Sequence, residues 1–153
     1  MMFSKSCEYA LRAVIYLCIE ENGVKMNIKE ISSKIGSPEP FTAKILQTLA
    51  RHGVISSQKG PGGGFYIDAD SEPIKVIDVI GAIDGRDSFD KCGMGLNTCN
   101  DNHPCPIHDE YKLCTGKLKE LVTNKTVSEL AQGVKSGKYH LNSIQAMQIA
   151  MAS

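Results

Sequence analysis

The chain has 153 residues, with 17 basic and 17 acidic side chains and a formal net charge of zero. This length fits one domain, or a small domain with a dimerisation element, and allows a core that needs no disulfides. The sequence contains neither a run of 18 apolar residues nor a cleavable leader pattern, which predicts a cytoplasmic protein with no membrane partner. Cytoplasmic thiols stay reduced, so clustered cysteines indicate metal or redox chemistry.

The charge is unevenly distributed along the chain. Residues 1–66 hold eight basic against five acidic side chains, a net of +3, whereas residues 67–153 hold nine against twelve, a net of −3. Binding to phosphates requires positive charge on one surface rather than on the whole chain. The distribution therefore permits a nucleic-acid partner without establishing one.

Two helices are predicted at the start of the chain. The apolar spacing over residues 4–20 predicts an amphipathic helix that ends at Asn22-Gly23. Asn27 followed by Glu30 is a variant of the capping box and predicts a short second helix. Gly36 supplies the turn that ends it.

A third helix is predicted immediately after that turn. Ser37 is the expected N-cap, Pro38 the first helical residue and Glu39 an acid near the positive end of the helix dipole. The apolar stripe is Phe41, Ile45, Leu46 and Leu49, and the side chains expected to face outward are Thr42, Lys44, Gln47 and Thr48. Two short helices around a glycine turn are typical of a helix-turn-helix unit.

A β-hairpin wing is predicted next, with strands over residues 54–58 and 65–67 around a glycine-rich tip. Residues 1–68 thus form a predicted winged helix-turn-helix region in a mostly α fold. The side chains and tip glycines expected to contact double-stranded DNA are Ser37, Glu39, Thr42, Lys44, Gln47, Lys59, Gly60, Gly62 and Gly63.

Residues 73–133 are predicted to form a second region that carries a long helix. A helix over residues 73–83 precedes an aperiodic loop, and such long loops are usually functional. Heptad spacing then predicts a long helix, from about residue 106 to 122, that packs lengthwise on a partner through Ile107, Tyr111, Cys114, Leu118 and Leu121. A capping box at Thr126 opens a last core helix, and residues 134–153 form a C-terminal tail that could contain a further helix.

The aperiodic loop, residues 84–105, carries Cys92, Cys99 and Cys105, and His108 follows it. Three thiols and one imidazole so close together, among Gly, Asn, Asp and Pro residues, indicate a metal centre. A zinc site would accept these ligands, although the tight Cys-x2–4-Cys pair usual in zinc sites is absent. A thiol–disulfide switch is a further alternative.

The chain resembles the Rrf2 family of bacterial winged-helix transcriptional regulators. The resemblance runs over roughly residues 2–133 and rests on Ala10-Leu11-Arg12, on the wing from Gly60 to Phe65 and on the three-cysteine loop. It implies a cytoplasmic homodimer whose long helices cross and which binds a partly palindromic operator. It also implies a regulator, most simply a repressor, that senses iron–sulfur status, nitric oxide or redox state.

By the same resemblance, Cys92, Cys99 and Cys105 match the three cysteine ligands of an iron–sulfur cluster. The fourth ligand is His108, as in some members, or Glu8 in the first helix, as in others. Histidine fits a [2Fe–2S] centre and a carboxylate a [4Fe–4S] centre, so the nuclearity stays open. The first gap between cysteines is one residue longer than is usual in the family.

Two other functions remain as alternatives. A cluster-free winged-helix regulator would use a structural zinc, a thiol switch or a small ligand. An iron–sulfur electron carrier or enzyme subunit is disfavoured, because the sequence offers no Cys-x2-Cys run and no acid–base cluster for a substrate. We therefore expect a regulator and not an enzyme.

Overall fold

The first helix organises the molecule, because most other helices pack against it. The computed structural model describes residues 3–20, 23–141 and 151. In chain order the elements are α1 (Lys5–Ile19), α2 (Ile28–Ile35), α3 (Glu39–Arg51), β1 (Ser56–Gln58), β2 (Gly64–Tyr66), α4 (Val76–Ile83), a 3-10 helix (Arg86–Phe89), α5 (His108–Asn124) and α6 (Val127–Lys135). The predicted class, mostly α with a hairpin wing, is confirmed.

Helix α1 begins where the sequence predicts. The Ser4 hydroxyl caps it by accepting a hydrogen bond of 3.0 Å from the backbone N–H of Cys7. Successive turns of α1 bury Ala10, Val14 and Leu17, and the helix packs against α2, α3, α4 and α6. The first and second halves of the chain thus share one helix as their common core.

Helix α2 forms as predicted, with the reciprocal capping box between Asn27 and Glu30 at its start. Gly36 follows it in the left-handed conformation, at φ 67°. The predicted start of α3 is wrong by one residue: Pro38 is its N-cap, and Ser37 makes no capping hydrogen bond. Ser37 instead turns inward, is buried, and its Oγ has no hydrogen-bond partner among the described residues.

The prediction that Thr42 faces outward is also wrong, since its side chain is fully buried. It lies one turn before Ile45 and Leu46, which are both buried. The face of α3 that packs into the core is therefore wider at its N-terminal end than an apolar stripe alone indicates. Neither Ser37 nor Thr42 can offer its side chain to DNA in this arrangement.

The wing is anchored to the loop before α2. Strands β1 and β2 pair antiparallel, with Ser57 opposite Phe65. Phe65 also pairs with Met26: the Phe65 N–H donates to the Met26 carbonyl at 2.8 Å, and the Phe65 carbonyl accepts from the Met26 N–H at 2.9 Å. A Cβ on Gly63 would lie 2.2 Å from the carbonyl oxygen of Gln58, so glycine is required where the hairpin closes.

A second apolar cluster joins α4, α5 and the start of α1. It contains Cys7, Val76, Ile77, Ile80, Phe89 and Val122. Backbone hydrogen bonds from Val76 to Lys125 and from Val127 to Ile74 bind the two ends of this region together. The capping box predicted at Thr126 is present.

No helix among the described residues is long and apolar enough to cross a membrane. The predicted C-terminal helix falls almost wholly outside the described residues, which resume only at 151 after 141.

The buried hydroxyl of Thr42 has no hydrogen-bond partner within the described part of the chain, so we expect Thr42→Val to raise the free energy of unfolding. Burying an unsatisfied polar group costs about 1 kcal/mol or more, which corresponds to roughly 2–4 °C in Tm. Thermal unfolding followed by circular dichroism measures the change. The control is Thr48→Val, because the Thr48 hydroxyl donates a 2.9 Å hydrogen bond to the Lys44 carbonyl. A lower Tm for Thr42→Val than for the control would contradict this account.

Candidate metal centre and nucleic-acid interface

The loop between the 3-10 helix and α5 is shaped by backbone turns rather than by a core. Gly95 adopts φ 74°, and its N–H donates to the Cys92 carbonyl at 3.0 Å. Asn100 and His103 form an isolated antiparallel bridge. The His108 N–H donates to the Cys105 carbonyl at 3.0 Å, so the last turn leads directly into α5.

These turns bring the three predicted cysteine ligands together. The sulfur atoms of Cys92, Cys99 and Cys105 all lie within 4.8 Å of one another, and those of Cys92 and Cys105 are 3.7 Å apart. Cys105 is buried, and the other two are half-buried. Two thiolates bound to one tetrahedral metal ion lie about 3.8 Å apart, given metal–sulfur bonds of about 2.3 Å. The donor set therefore fits a metal centre.

His108, the first residue of α5, lies beside one of these thiols. Its Nδ1 lies 3.1 Å from the Cys99 sulfur, and its side chain is only 14% exposed. Its Nε2 lies 2.9 Å from Oδ1 of Asp101. Both oxygens of Asp101 also accept hydrogen bonds from Nζ of Lys112, at 2.7 and 2.9 Å.

The environment of the thiols differs from one to the next. A backbone hydrogen bond from Leu96, with a further one from Met94, lowers the pKa of Cys92 to about 7. A backbone hydrogen bond from Cys105 acts to lower the pKa of Cys99, but burial and the neighbouring thiols outweigh it and raise that pKa. A thiolate is the metal-binding form of cysteine, so Cys92 is more ready than Cys99 to bind a metal near neutral pH.

The charged groups beside His108 stabilise each other. Hydrogen bonds from His108 and then from Lys112 hold the pKa of Asp101 below its usual value. The hydrogen bond to Asp101 raises the pKa of Lys112 in return. Asp101 is therefore a carboxylate at neutral pH.

Glu8, the alternative fourth ligand, lies elsewhere on the chain. It is on α1 and pairs with Lys5 at 3.2 Å. An open cavity of about 390 Å³ contains all three cysteines and His108 in its lining, and Glu8 is not among its described lining residues. A single chain thus brings together Cys92, Cys99, Cys105 and His108, and not Glu8.

The remaining cysteines lie outside this group. Cys7 is fully buried in the second apolar cluster, where desolvation and then the charge of Asp84 raise its pKa to about 12. Cys18 is half-buried on α1, and burial raises its pKa. Cys114 is exposed on α5.

A groove between α3 and the wing forms the candidate nucleic-acid interface. Its volume is about 490 Å³, and its lining includes Gln47, Arg51 and Lys59. Glu39 and Lys44 on α3 and Gly60 and Gly62 on the wing are exposed as well, while Gly63 is half-buried. Arg51 was not predicted from the sequence, although its position four residues after Gln47 places both on one face of α3.

The predicted partner face of α5 divides into two parts. Ile107, Cys114 and Leu121 are exposed, at intervals of seven residues. Tyr111 and Leu118 are half-buried against their own chain, where Leu118 packs on the second apolar cluster and Tyr111 lies close to Gly93. The exposed stripe is thus narrower than the heptad pattern indicates.

Comparison with known proteins gives a consistent result. The Rrf2 family model, described as an iron-dependent transcriptional regulator, matches residues 3–133. A helix-turn-helix-type transcriptional regulator of Aquifex aeolicus is 27% identical over 132 residues, covering 85% of this chain and 91% of that protein. The Escherichia coli regulator IscR is 25% identical over 144 residues, covering 92% and 88%.

Solved structures show the same fold. CymR of B. subtilis, titled the global cysteine regulator, has a TM-score of 0.67 at 21% identity and covers 85% of this chain and 95% of its own. IscR of T. potens has a TM-score of 0.65 at 19% identity, covering 92% and 93%.

The basic side chains that line the groove are the ones that we expect to contact phosphates. We expect Lys59→Ala and Arg51→Ala each to weaken binding to every duplex, and to flatten the slope of log affinity against log salt by about one unit. Fluorescence anisotropy with a labelled duplex over a salt series measures both quantities. Lys138→Ala, an exposed lysine beyond α6, is the matched control. A salt slope equal to that of the control would remove the residue from the interface.

Proposed function

This chain belongs to the Rrf2 family of transcriptional regulators, and we propose that it controls transcription through an iron–sulfur cluster held by Cys92, Cys99, Cys105 and His108. The observation that carries the proposal is the convergence of three sulfur atoms within 4.8 Å, with an imidazole nitrogen 3.1 Å from one of them. The signal would be iron–sulfur status, nitric oxide or redox state. The protein would act in the cytoplasm, most simply as a repressor.

The DNA-binding role of the first half is supported by the exposed polar face of α3 and by the wing. Lys44 and Gln47 point away from the core and can reach base edges in the major groove. Lys59 on the wing can bind phosphates or enter the narrow minor groove. The operator would be partly palindromic, because two copies of the chain would present two recognition helices.

The dimer is supported by the exposed stripe of α5. Ile107, Cys114 and Leu121 form an apolar row that the rest of the described chain leaves uncovered. A second copy packed on this row would bury it and make the α5 helices cross. Residues 73–133 would then form the dimerisation region, and residues 1–68 the DNA-binding region.

The cluster ligands lie where they can link metal binding to DNA binding. When bound, an iron–sulfur centre supplies metal–ligand bonds that are lost on oxidation, nitrosylation or iron limitation. Cys92, Cys99 and Cys105 hold the loop, while His108 begins the helix that carries the dimer stripe. Release of these four side chains would free about twenty residues beside α5 and alter the spacing of the two recognition helices.

A structural zinc is the second candidate. The 3.7 Å separation of the Cys92 and Cys105 sulfur atoms equals, within 0.1 Å or so, the spacing of two thiolates on one tetrahedral ion. A zinc ion bound to the same four residues would fix the loop permanently. The chain would then regulate transcription through another ligand.

Removal of one central thiol tests the ligand assignment. Cys99→Ala should abolish visible absorbance and iron content in protein purified without oxygen, because three ligands hold a cluster poorly. Cys18→Ala is the control, since Cys18 lies on α1 and outside the thiol group. Visible absorbance retained in Cys99→Ala would contradict the assignment.

A second test concerns the dimer. Leu121→Glu should convert the dimer to monomer in analytical ultracentrifugation, because a carboxylate would be buried in the apolar row. Leu113→Glu is the matched control: Leu113 is a leucine of the same helix with 63% exposure, against 53% for Leu121, but lies off the row. Dimers that persist in Leu121→Glu would place the interface elsewhere.

A further inference from the structure

Asp101 joins the loop to the first two turns of α5. Its Oδ1 lies 2.9 Å from Nε2 of His108, and its two oxygens accept hydrogen bonds from Lys112 at 2.7 and 2.9 Å. His108 and Lys112 are four residues apart and therefore lie on one face of the helix. Asp101 itself is two residues after Cys99, in the middle of the three-cysteine loop.

This arrangement determines which nitrogen of His108 is free to bind. An ionised carboxylate can only accept hydrogen bonds, so the nitrogen facing Asp101 must carry the proton. That nitrogen is Nε2, which leaves the lone pair on Nδ1, 3.1 Å from the Cys99 sulfur. A metal-binding histidine typically donates its second N–H to a carboxylate in this way.

We infer that Asp101 is the positioning residue of the metal centre, holding His108 as the Nε2–H tautomer with Nδ1 directed at the thiols, and that Lys112 holds Asp101 in place. This inference rests on the proposed cluster function, which it extends to residues that do not touch the metal. It also explains why a loop with few core side chains keeps its contact with α5.

The same three groups set the electron density at the ligand nitrogen. The negative charge of Asp101 makes the imidazole a stronger donor, which favours the oxidised state of an iron bound to Nδ1. Lys112 acts in the opposite direction, because its positive charge offsets that of Asp101. Removing the charge of Asp101 must therefore raise the reduction potential of the centre, and removing the charge of Lys112 must lower it.

The experiment uses the full-length protein, purified without oxygen, with three variants of the network: Asp101→Ala, Asp101→Asn and Lys112→Met. The matched control is Asp90→Ala. Asp90 also pairs with a lysine of α5, Lys119, at 3.2 Å, but its described hydrogen bonds do not include one to His108. The readouts are the rate of iron loss to a chelator, the midpoint potential, and the nitrogen hyperfine coupling of 15N-labelled histidine in the reduced, paramagnetic protein.

We expect Asp101→Ala to lose iron about 10–100 times faster than the wild type and to change the histidine coupling. Asp101→Asn should restore much of the iron retention, since its amide oxygen still accepts from Nε2, but its potential should be higher. Lys112→Met should have a lower potential. Asp90→Ala should match the wild type in iron loss and in the histidine coupling.

Two results would overturn the inference while leaving the proposed function standing. One is a cluster-loaded Asp101→Ala protein whose iron loss and histidine coupling equal those of the wild type. The other is a potential that moves in the same direction in Asp101→Asn and Lys112→Met. A wild-type protein that contains no iron would overturn the proposed function and this inference together.

Discussion

Three thiols and an imidazole converge in the loop before α5, and the proposed coupling between the two halves of the chain depends on a metal centre held at that point. The loop contributes Cys105 to the buried residues but otherwise consists mostly of exposed residues, among which Gly, Asn and Asp are frequent. Such a segment gains little from the hydrophobic effect, while ordering each residue costs about 1–2 kcal/mol in backbone entropy. In the proposed centre, metal–ligand bonds would offset that cost.

The loop and α5 are connected to the first half of the chain through packed side chains. Phe89, just before the loop, and Val122, near the end of α5, share an apolar cluster with Cys7 of α1. Helix α1 in turn packs against α2 and α3, the helices of the proposed DNA-binding unit. Packed elements therefore connect the loop continuously to α3. The effect of a change in the loop on α3 would depend on how far α5 moves.

Local signals predicted the fold well, and tertiary contacts account for the failures. The capping boxes at Asn27 and Thr126 are correct because a cap depends on residues three positions apart. The predictions for Ser37 and Thr42 are wrong because both polar side chains are buried, which the apolar pattern of α3 does not indicate. Asp101 carried no signal in the sequence, since its role arises only when the loop folds back against α5.

The central claim is that the thiol group holds an iron–sulfur centre, and the metal content of the wild-type protein tests it most directly. The protein should be purified without oxygen, and its iron, acid-labile sulfide and zinc measured beside its visible spectrum. The account predicts iron and sulfide in equal amounts, a brown protein, and little zinc. One zinc per chain in a colourless protein without sulfide would contradict it and make the loop a structural site.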